Sequence, residues 1–355
     1  MFAVRRLVAA IVAGCVSVIS AAGSLPARLS DQEFWGLVSR LSEPGGSFRS
    51  ENLLSNELRL QYVIPDLMRT VPRGRAYLGV GPEQNFTYIA VVQPSMAFIV
   101  DIRRGNLQLQ LMYKALFELS ADRVEFVSRL FSRRMPDGVS ASSTVMEIFD
   151  AIATAEPSEA LYERNLKAIQ AHLAGKHGFA LPADDVSGIE HIYHFFYAFG
   201  PGINYASSES DTPLNAGNYR PSYAELMTAT DSTGHNRSYL ASEEAFGIVK
   251  ALETKNLVVP VVGDFAGPRA LRAVGTYLKS QSAVVSAFYV SNVEQYLRAE
   301  RVWPTFCGNA ARLPFDDDSV FIRAGRGGRY ARGGTALTHE LSPMVMELDG
   351  CDRRP

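Results

Sequence analysis

The chain is poor in cysteine and tryptophan and carries almost no net charge. Its 355 residues include three cysteines and two tryptophans, and the net charge is −2. So few cysteines exclude a small disulfide-framework protein and a multi-cysteine zinc module. A near-neutral chain has no overall attraction to nucleic acid, so we expect no nucleic-acid partner. The length suits one large domain or two small ones with a sizeable buried core.

The signatures of common hydrolases are also missing. The sequence has no H-E-x-x-H motif and no G-x-S-x-G elbow, so neither a zinc protease nor a serine hydrolase is predicted. Glu190, His191 and His194 stand at helical spacing in EHIYHFF and could hold a metal ion. The surrounding aromatic residues instead favour a buried helix with one hydrogen-bonded histidine. The other four histidines are scattered, and we expect no metal.

Long hydrophobic runs are absent except at the start of the chain, and we therefore expect no integral membrane span. The run at residues 7–22 follows Arg5 and Arg6 and ends in small residues, which is typical of a signal peptide, predicted as residues 1–22. The protein is expected to be exported to the periplasm or cell envelope. The segment VAGC also resembles the lipobox of bacterial lipoproteins, so a lipid anchor at Cys15 is the minor alternative.

Two cysteines, Cys307 and Cys351, remain after removal of the predicted signal peptide. In an oxidising compartment they can form one bridge. Sequence does not give the distance between them, and a bridge has strict geometric requirements. Two unpaired thiols are the favoured interpretation.

Apolar runs alternate with helical patterns in two parts of the chain. Strands are predicted at 76–80 and 97–102, helices at 84–92 and 106–119, and further strands at 257–262, 283–290 and 319–323. This alternation is typical of a parallel sheet with crossover helices. We predict a single α/β domain over residues 30–355 with a mainly helical insertion at about 121–256. Helices are also predicted at 30–41, 56–64, 268–280 and 293–299.

Glycines and polar residues follow several of these strands. In an open parallel sheet, ligands bind beyond the carboxyl ends of the strands. Glycines let a ligand approach the backbone, helix starts offer free amide donors, and an acid after the second strand can accept ribose hydroxyl protons. The candidate cofactor-binding residues are Gly79, Gly81, Pro82, Glu83, Gln84, Asn85, Asp101, Asp264 and Phe265. Asn292 follows a later strand.

Two segments resemble a known family. YLGVGPEQNF followed by AFIVDI is similar to the first two motifs of class I S-adenosylmethionine-dependent methyltransferases. The whole chain is also similar to a little-characterised bacterial family that includes exported lipoproteins and is methyltransferase-like in fold. The resemblance implies a Rossmann-like, methyltransferase-type sheet and S-adenosylmethionine as cofactor. It assigns Gly79 and Gly81 to the methionine part, Asp101 to the ribose, Asp264 to the adenine amine and Asn292 to the neighbourhood of the transferred methyl group.

Two functions therefore stay open. One is methyl transfer to an unknown acceptor, with Asn292 as the candidate catalytic residue. The other is a non-catalytic exported envelope protein on the same fold that binds another ligand or protein, since function belongs to the site and not to the fold.

Arg103 and Arg104 could also bind a 2′-phosphate, but salt bridges are the favoured role for them. The polar stretch 201–242 either contacts a substrate or is a solvated surface loop. The residues that could contact a substrate are Tyr205, Tyr219, Tyr223, Asp231, Asn236 and Tyr239.

Overall fold

The computed structural model describes residues 24–48, 50–208, 220–325 and 338–351. The predicted signal peptide, with Cys15, lies outside the described residues. Residues 326–337, which include most of an arginine- and glycine-rich stretch, also lie outside them. One mixed sheet organises the fold, with strands β1 (Ala76–Gly79), β2 (Met96–Asp101), β3 (Val258–Val262), β4 (Val285–Ser291), β5 (Val320–Gly325) and β6 (Thr338–Pro343).

The strand order is β3-β2-β1-β4-β5-β6. All neighbouring pairs are parallel except β5 and β6, which are antiparallel. The chain moves outward from β1 to β3 and then returns to β4 on the other side of β1. This reversal is the topological switch point of a doubly wound sheet. The prediction of an α/β fold with a largely parallel sheet is confirmed, and the order is compatible with a Rossmann-like arrangement.

Helices flank the sheet and fill the chain between its strands. They are α1 (Asp31–Leu41), α2 (Ile64–Thr70), α3 (Gln84–Val92), α4 (Arg104–Leu119), α5 (Arg123–Phe131), α6 (Val145–Thr154), α7 (Glu159–Gln170), α8 (Ala183–Phe199), α9 (Tyr223–Thr228), α10 (Glu243–Thr254), α11 (Ala270–Ser280), α12 (Val293–Ala299), α13 (Trp303–Ala310) and α14 (Met344–Glu347). Helices α5 to α10 lie within residues 121–256, where the insertion is predicted.

Local sequence signals explain several boundaries. Ser30 and Glu33 form a capping box that starts α1 as predicted. The helix predicted at 56–64 is wrong in its bounds, because residues 60–63 form a 3₁₀ turn and α2 begins only at Ile64. Pro65 lies in the first turn of α2, where a missing amide hydrogen leaves no hydrogen bond unmade.

The first three strands, including the edge strand β3, are covered on both faces. Every residue of β1, β2 and β3 is buried, as expected for parallel strands between helical layers. No helix among the described residues combines the length and apolar character needed to cross a bilayer.

Cys307 and Cys351 form a disulfide, with their Cα atoms 5.3 Å apart. The favoured expectation of two unpaired thiols is therefore wrong. The bridge joins α13 to the end of the described chain, beyond α14. The sequence did not predict this proximity, because the two cysteines are 44 residues apart. They meet because β5 and β6, which lie between them, pair antiparallel and return the chain to α13.

Candidate functional site

The turn after β1 contains the predicted glycine motif. Gly81 has a φ of +81°, a left-handed conformation that favours glycine. Helix α3 begins at Gln84, so the strand, the glycine turn and the helix follow one another as predicted. Every residue from Gly79 to Ala90 is buried. The turn is thus covered by protein rather than open to a crevice.

The side chain of Asn85 fills the inside of this turn. Its amide nitrogen donates to the carbonyl oxygens of Val80, Gly81 and Pro82 at 3.0, 3.2 and 2.9 Å. Its Oδ1 accepts from the Tyr77 hydroxyl at 2.9 Å. A Cβ atom at residue 79 would lie 1.8 Å from Asn85 Oδ1. Glycine at residue 79 therefore makes room for Asn85, a residue of the protein's own chain.

Asp101, at the end of β2, is held by an arginine two residues later. Its Oδ1 accepts from the backbone amide of Arg103 at 2.9 Å and from Arg103 Nε at 3.0 Å. Its Oδ2 accepts from Arg103 Nη2 at 2.7 Å. The two residues are 4% and 8% exposed. Both oxygens that a ribose would need are already hydrogen-bonded to a cation, which is the salt-bridge role favoured for Arg103.

Residues 42–48 and 50–57 cross the carboxyl ends of four strands, and we call them the edge segment. The amide of Glu43 donates to Val262 O, at the end of β3, at 2.9 Å, and the amide of Gly46 donates to Ile102 O, just after β2, at 2.8 Å. The carbonyl of Glu51 accepts from Arg103. In a Rossmann-like sheet, ligands bind at the carboxyl ends of the strands. In this chain, the backbone of the edge segment covers that position.

The edge segment continues over the glycine turn and β4. The amide of Ser55 donates to the carboxylate of Glu83, at 3.2 Å to the nearer oxygen. Glu57 accepts from Ser291 Oγ, at the end of β4, at 2.5 Å. The segment therefore also spans the switch point between β1 and β4.

Asp264 and Phe265 follow β3 but take structural roles. Asp264 Oδ1 accepts from the backbone amide of Ala266 at 2.8 Å, closing a local turn. The Phe265 ring is 4% exposed and packs against Phe288 and Phe306, with centroids 5.2 and 5.7 Å away. Phe265 thus belongs to the apolar core and does not present a free face to an adenine.

A buried polar cluster lies at the switch point. Besides Ser291, the Glu57 carboxylate accepts from the Tyr289 hydroxyl, and Nε2 of His339 lies 2.8 Å from it. Burial raises the pKa of Glu57, but the charge and hydrogen bond of His339 and the two hydroxyls outweigh this and lower it. Sequence reasoning missed Glu57 and His339, since neither follows a parallel strand.

Glu83 lies near this cluster, and its pKa is shifted in the opposite direction to that of Glu57. The pKa of Glu83 is raised to about 8, mainly by burial and also by the charge of Glu57. Hydrogen bonds to its carboxyl group act against this shift. At neutral pH Glu57 is therefore ionised and Glu83 is protonated. Such a pair is the usual basis of acid–base catalysis. Here the two residues are only 3% and 0% exposed, so no substrate reaches them in this conformation.

Other predicted polar residues divide between the surface and the core. Asn292 is partly exposed beside Ser291, with Oδ1 3.5 Å from its hydroxyl. Tyr223 and Tyr239 are fully buried and share a hydrogen bond. Asp231 pairs with Arg237 at 3.0 Å. These contacts hold the stretch 220–242 against the protein core; Tyr219 lies outside the described residues, and Tyr205 is partly buried under Arg220.

The two histidines of α8 are exposed rather than buried. His191 is hydrogen-bonded as expected, with Nε2 3.1 Å from Glu51 Oε1, but the expectation that the histidines lie on the buried face of the helix is wrong. Tyr193 and Phe196 occupy the buried face instead. A different group, Glu118, His172 and His177, brings its possible ligand atoms within 4.8 Å of one another. Sequence reasoning missed it because Glu118 is more than 50 residues from either histidine.

A groove of about 380 Å³ lies between the 3₁₀ turn and α9. None of its lining residues belongs to the predicted strand-end set. They are Leu58, Arg59, Tyr62, Glu225, Thr228, Ala229 and Thr230.

The fold and the strand edge together define an α/β protein with a six-stranded, mostly parallel sheet, compatible with a Rossmann-like arrangement, whose strand-end edge is covered by its own chain. The chain belongs to the family described as Domain of unknown function (DUF7790), whose model matches residues 53–177 and 217–341. The match includes the glycine turn, Asp101 and the Glu118 group, but not α1 or α8. No curated protein matches the chain in sequence.

Proposed function

We propose that this protein is a non-catalytic exported envelope protein that uses a methyltransferase-type scaffold to bind a ligand or protein other than S-adenosylmethionine. The observation that supports the proposal best is the Asp101–Arg103 pair beneath the edge segment. The acid that would hold a ribose already has a charged partner, and the turn that would face the methionine part contains Asn85.

Energetics favour this proposal over a nucleotide site. An adenosyl ligand would have to displace Arg103 from Asp101 and leave a nearly buried cation without its partner, which costs about 3–5 kcal/mol. Micromolar binding corresponds to about 8 kcal/mol in total. That cost would weaken a micromolar ligand by about two to four orders of magnitude, to a dissociation constant of about 0.1 to 10 mM.

Calorimetry of the protein lacking residues 1–22 tests the proposal. Titration with S-adenosylmethionine and with S-adenosylhomocysteine should give no binding at concentrations up to the millimolar range. Micromolar binding that disappears in Asp101→Ala would overturn the proposal. Asp185→Ala is the matched control, because Asp185 is also a buried acid paired with an arginine, Arg104, but that pair is not at the glycine turn.

Methyl transfer is the second candidate, and one structural relationship favours it. Gly79 and Ile99 are register partners on adjacent strands, so the glycine turn and Asp101 emerge side by side next to the switch point. An active enzyme would require the edge segment and Arg103 to move away. Arg103→Ala releases Asp101 and should then produce measurable S-adenosylmethionine binding, whereas Arg104→Ala should not. Under the first proposal neither variant binds.

Export is a separate part of the proposal and has its own test. We expect the protein recovered from the cell envelope to begin after Ala22, as the apolar run and its small terminal residues indicate. Intact-mass measurement distinguishes this from the lipid-anchored alternative, in which the chain begins at a modified Cys15. A protein recovered only from the cytosol with residues 1–22 intact would contradict export.

A further inference from the structure

A compact cluster of two histidines and a glutamate lies far along the chain from the strand-end residues. Glu118 is near the end of α4. A π-helical turn, Ala171–Lys176, follows α7; His172 lies within this turn and His177 directly after it. Glu118 Oε2 is 2.9 Å from His172 Nε2 and 2.9 Å from His177 Nε2. The three side chains are only 3%, 7% and 6% exposed. Two imidazoles therefore converge on a single carboxylate oxygen.

The π-helical turn explains how two histidines five residues apart face the same point. In an α-helix, five residues correspond to a rotation of about 500°, which puts their side chains about 140° apart. Here the amide of His177 donates to the carbonyl of His172 at 3.0 Å, the i to i+5 pattern of a π-helix. This wider turn stacks residue 177 above residue 172. Such turns occur often at functional sites.

Asp31 fixes the orientation of one histidine from the other side. Its Oδ1 lies 2.6 Å from Nδ1 of His177 and also accepts from the Asn256 side chain at 2.9 Å. The His177 ring stacks on Phe179, with centroids 5.0 Å apart. A carboxylate on the far nitrogen of a histidine is the usual outer partner of a metal ligand, because it fixes the ring and its tautomer.

This arrangement gives both nitrogens of His177 a carboxylate oxygen as neighbour. A neutral imidazole has one N–H and can donate to only one of them. When that N–H points to Asp31, the lone pair of Nε2 faces the lone pairs of Glu118 Oε2. A cation between the two atoms removes the repulsion, and it is either a second proton on His177 or a metal ion.

We propose that Glu118, His172 and His177 bind one divalent transition-metal ion, with zinc as the best-fitting ion and Asp31 as the residue that positions His177. Two imidazoles and one carboxylate are a common zinc ligand set. Bonds of about 2.0–2.1 Å in a tetrahedron place ligand atoms about 3.3 Å apart. The two separations of 2.9 Å between Glu118 Oε2 and the histidine nitrogens therefore need to widen by only a few tenths of an ångström. All three possible ligand atoms lie within 4.8 Å of one another.

Two lysines near Glu118 restrict how a metal ion can bind. Lys114 Nζ lies 2.7 Å from Glu118 Oε1 and also donates to the carbonyl of Glu253, so it leaves only Oε2 for the ion. Its nearby charge opposes a cation, and we expect weaker binding than at an all-anionic site. Lys176 lies 3.4 Å from Oε2 with 62% of its side chain exposed, so it can swing into solvent when the ion enters.

The position of the cluster indicates a structural role for the metal. It connects α1 through Asp31, the end of α4, and the π-helical turn of the insertion, three segments distant in sequence. The burial of all three ligand side chains leaves little access for a substrate. This inference is independent of the function proposed above, because none of these residues contributes to the strand edge.

Zinc titration of the protein lacking residues 1–22, after treatment with a chelator, tests the proposal. We expect one zinc ion per chain and a rise in melting temperature on binding. Cys307 and Cys351 are bridged and do not compete for the ion. His172→Ala and His177→Ala should each abolish binding, and Asp31→Asn should weaken it roughly 10- to 100-fold. The control is the double variant His191→Ala/His194→Ala, whose exposed histidines should leave binding unchanged.

Cobalt spectroscopy of the unmodified chain gives a second readout that does not depend on the variants folding. A bound cobalt ion with three protein ligands in tetrahedral geometry gives intense visible bands, whereas octahedral cobalt gives weak ones. No stoichiometric zinc binding, weak octahedral bands, or unchanged affinity in His172→Ala and His177→Ala would each overturn the proposal. In that case the extra cation at His177 is a proton.

Discussion

The guanidinium of Arg103 covers both carboxylate oxygens of Asp101, with Nε 3.0 Å from Oδ1 and Nη2 2.7 Å from Oδ2. The third nitrogen, Nη1, donates to the carbonyl of Glu51 in the edge segment. One arginine thus neutralises the acid and ties down the segment that covers it. The sheet edge is closed by charge pairing as well as by packing.

Breaking this pair should destabilise the protein strongly. Asp101→Asn leaves Arg103 nearly buried without a counter-charge, so we expect the free energy of unfolding to fall by about 3–5 kcal/mol. Urea denaturation measures the change. Arg69→Ala is the control, since its pair with Asp66 has the arginine side chain 73% exposed and should matter by at most about 1 kcal/mol. Equal small losses in both variants would show that the Asp101 pair contributes little to the closed edge.

Gly79 and Asn85 should behave as a coupled pair. Gly79→Ala introduces a Cβ that overlaps Asn85 Oδ1, so we expect a marked loss of stability. Asn85→Ala removes the overlapping atom, but it also removes a buried donor to the carbonyls of Val80, Gly81 and Pro82. Val80 O keeps Gln84 and Gly81 O keeps Gln110 as donors, so we expect a cost of about 1–3 kcal/mol only for a group that stays unpaired. The double variant should therefore be less destabilised than the sum of the single variants, as a denaturation cycle would measure.

A matched glycine gives the control for this cycle. Gly247 lies on an exposed position of α10, and a Cβ there meets nothing within 4 Å. Gly247→Ala should stabilise the protein by about 0.5–1 kcal/mol through helix propensity. Additive effects in the Gly79 and Asn85 cycle would contradict the packing described for the glycine turn.

Glu83 should make the protein less stable as the pH rises. Its pKa is raised from 4.5 to about 8 in the folded state, so the folded protein binds one more proton than the unfolded chain between these values. Its contribution is complete below pH 4.5 and is lost as the pH rises towards 8, at up to about 1.4 kcal/mol per pH unit. Glu83→Gln mimics the protonated acid and should remove this slope.

The comparison must be made against the unmodified protein, because burial raises the pKa of Glu253 to about 8 as well. We therefore expect the difference in unfolding free energy between Glu83→Gln and the unmodified protein to grow from pH 5 to pH 8. Urea denaturation at several pH values measures it. A difference that stays constant with pH would mean that Glu83 is ionised throughout.

Reduction of the disulfide should destabilise the protein. The bridge closes a long loop between Cys307 and Cys351, and loss of such a bridge typically costs about 2–4 kcal/mol. Denaturation with and without a reducing agent measures the effect. The double variant Cys307→Ser/Cys351→Ser should be insensitive to the reducing agent, and an unmodified protein that is equally insensitive would contradict the bridge.

Local signals in the sequence were sufficient for most of the regular elements. The bounds of α3 and α12 agree with the predictions, because apolar periodicity and a preceding turn define both. Strand β6 was missed, since it follows a glycine- and arginine-rich tail and pairs antiparallel with β5. Helix α13 was missed as well, because its short pattern follows directly on α12.

The sequence predicted the glycine turn and Asp101 on neighbouring strands but did not predict the segment that covers them. The glycine turn and Asp101 emerge on adjacent strands, as the alternation of strands and helices indicated. Their neighbours Ser55 and Glu57 come from a segment with no strand or helix of its own, so no periodicity marked their approach. The Glu118 cluster was missed for a similar reason: a π-helical turn places its histidines together, and no common helical spacing predicts that.

The sequence by itself determined that this chain builds an α/β sheet, roughly where its five parallel strands lie, and which glycines and acids follow them. These properties depend on neighbouring residues, and apolar periodicity and turn chemistry report on them directly. Only the tertiary structure decided that the strand edge is closed, that Cys307 and Cys351 are joined, and that three distant side chains meet around Glu118. Such contacts depend on how remote segments pack, and that packing is set by the burial and pairing of the whole chain rather than by any local pattern.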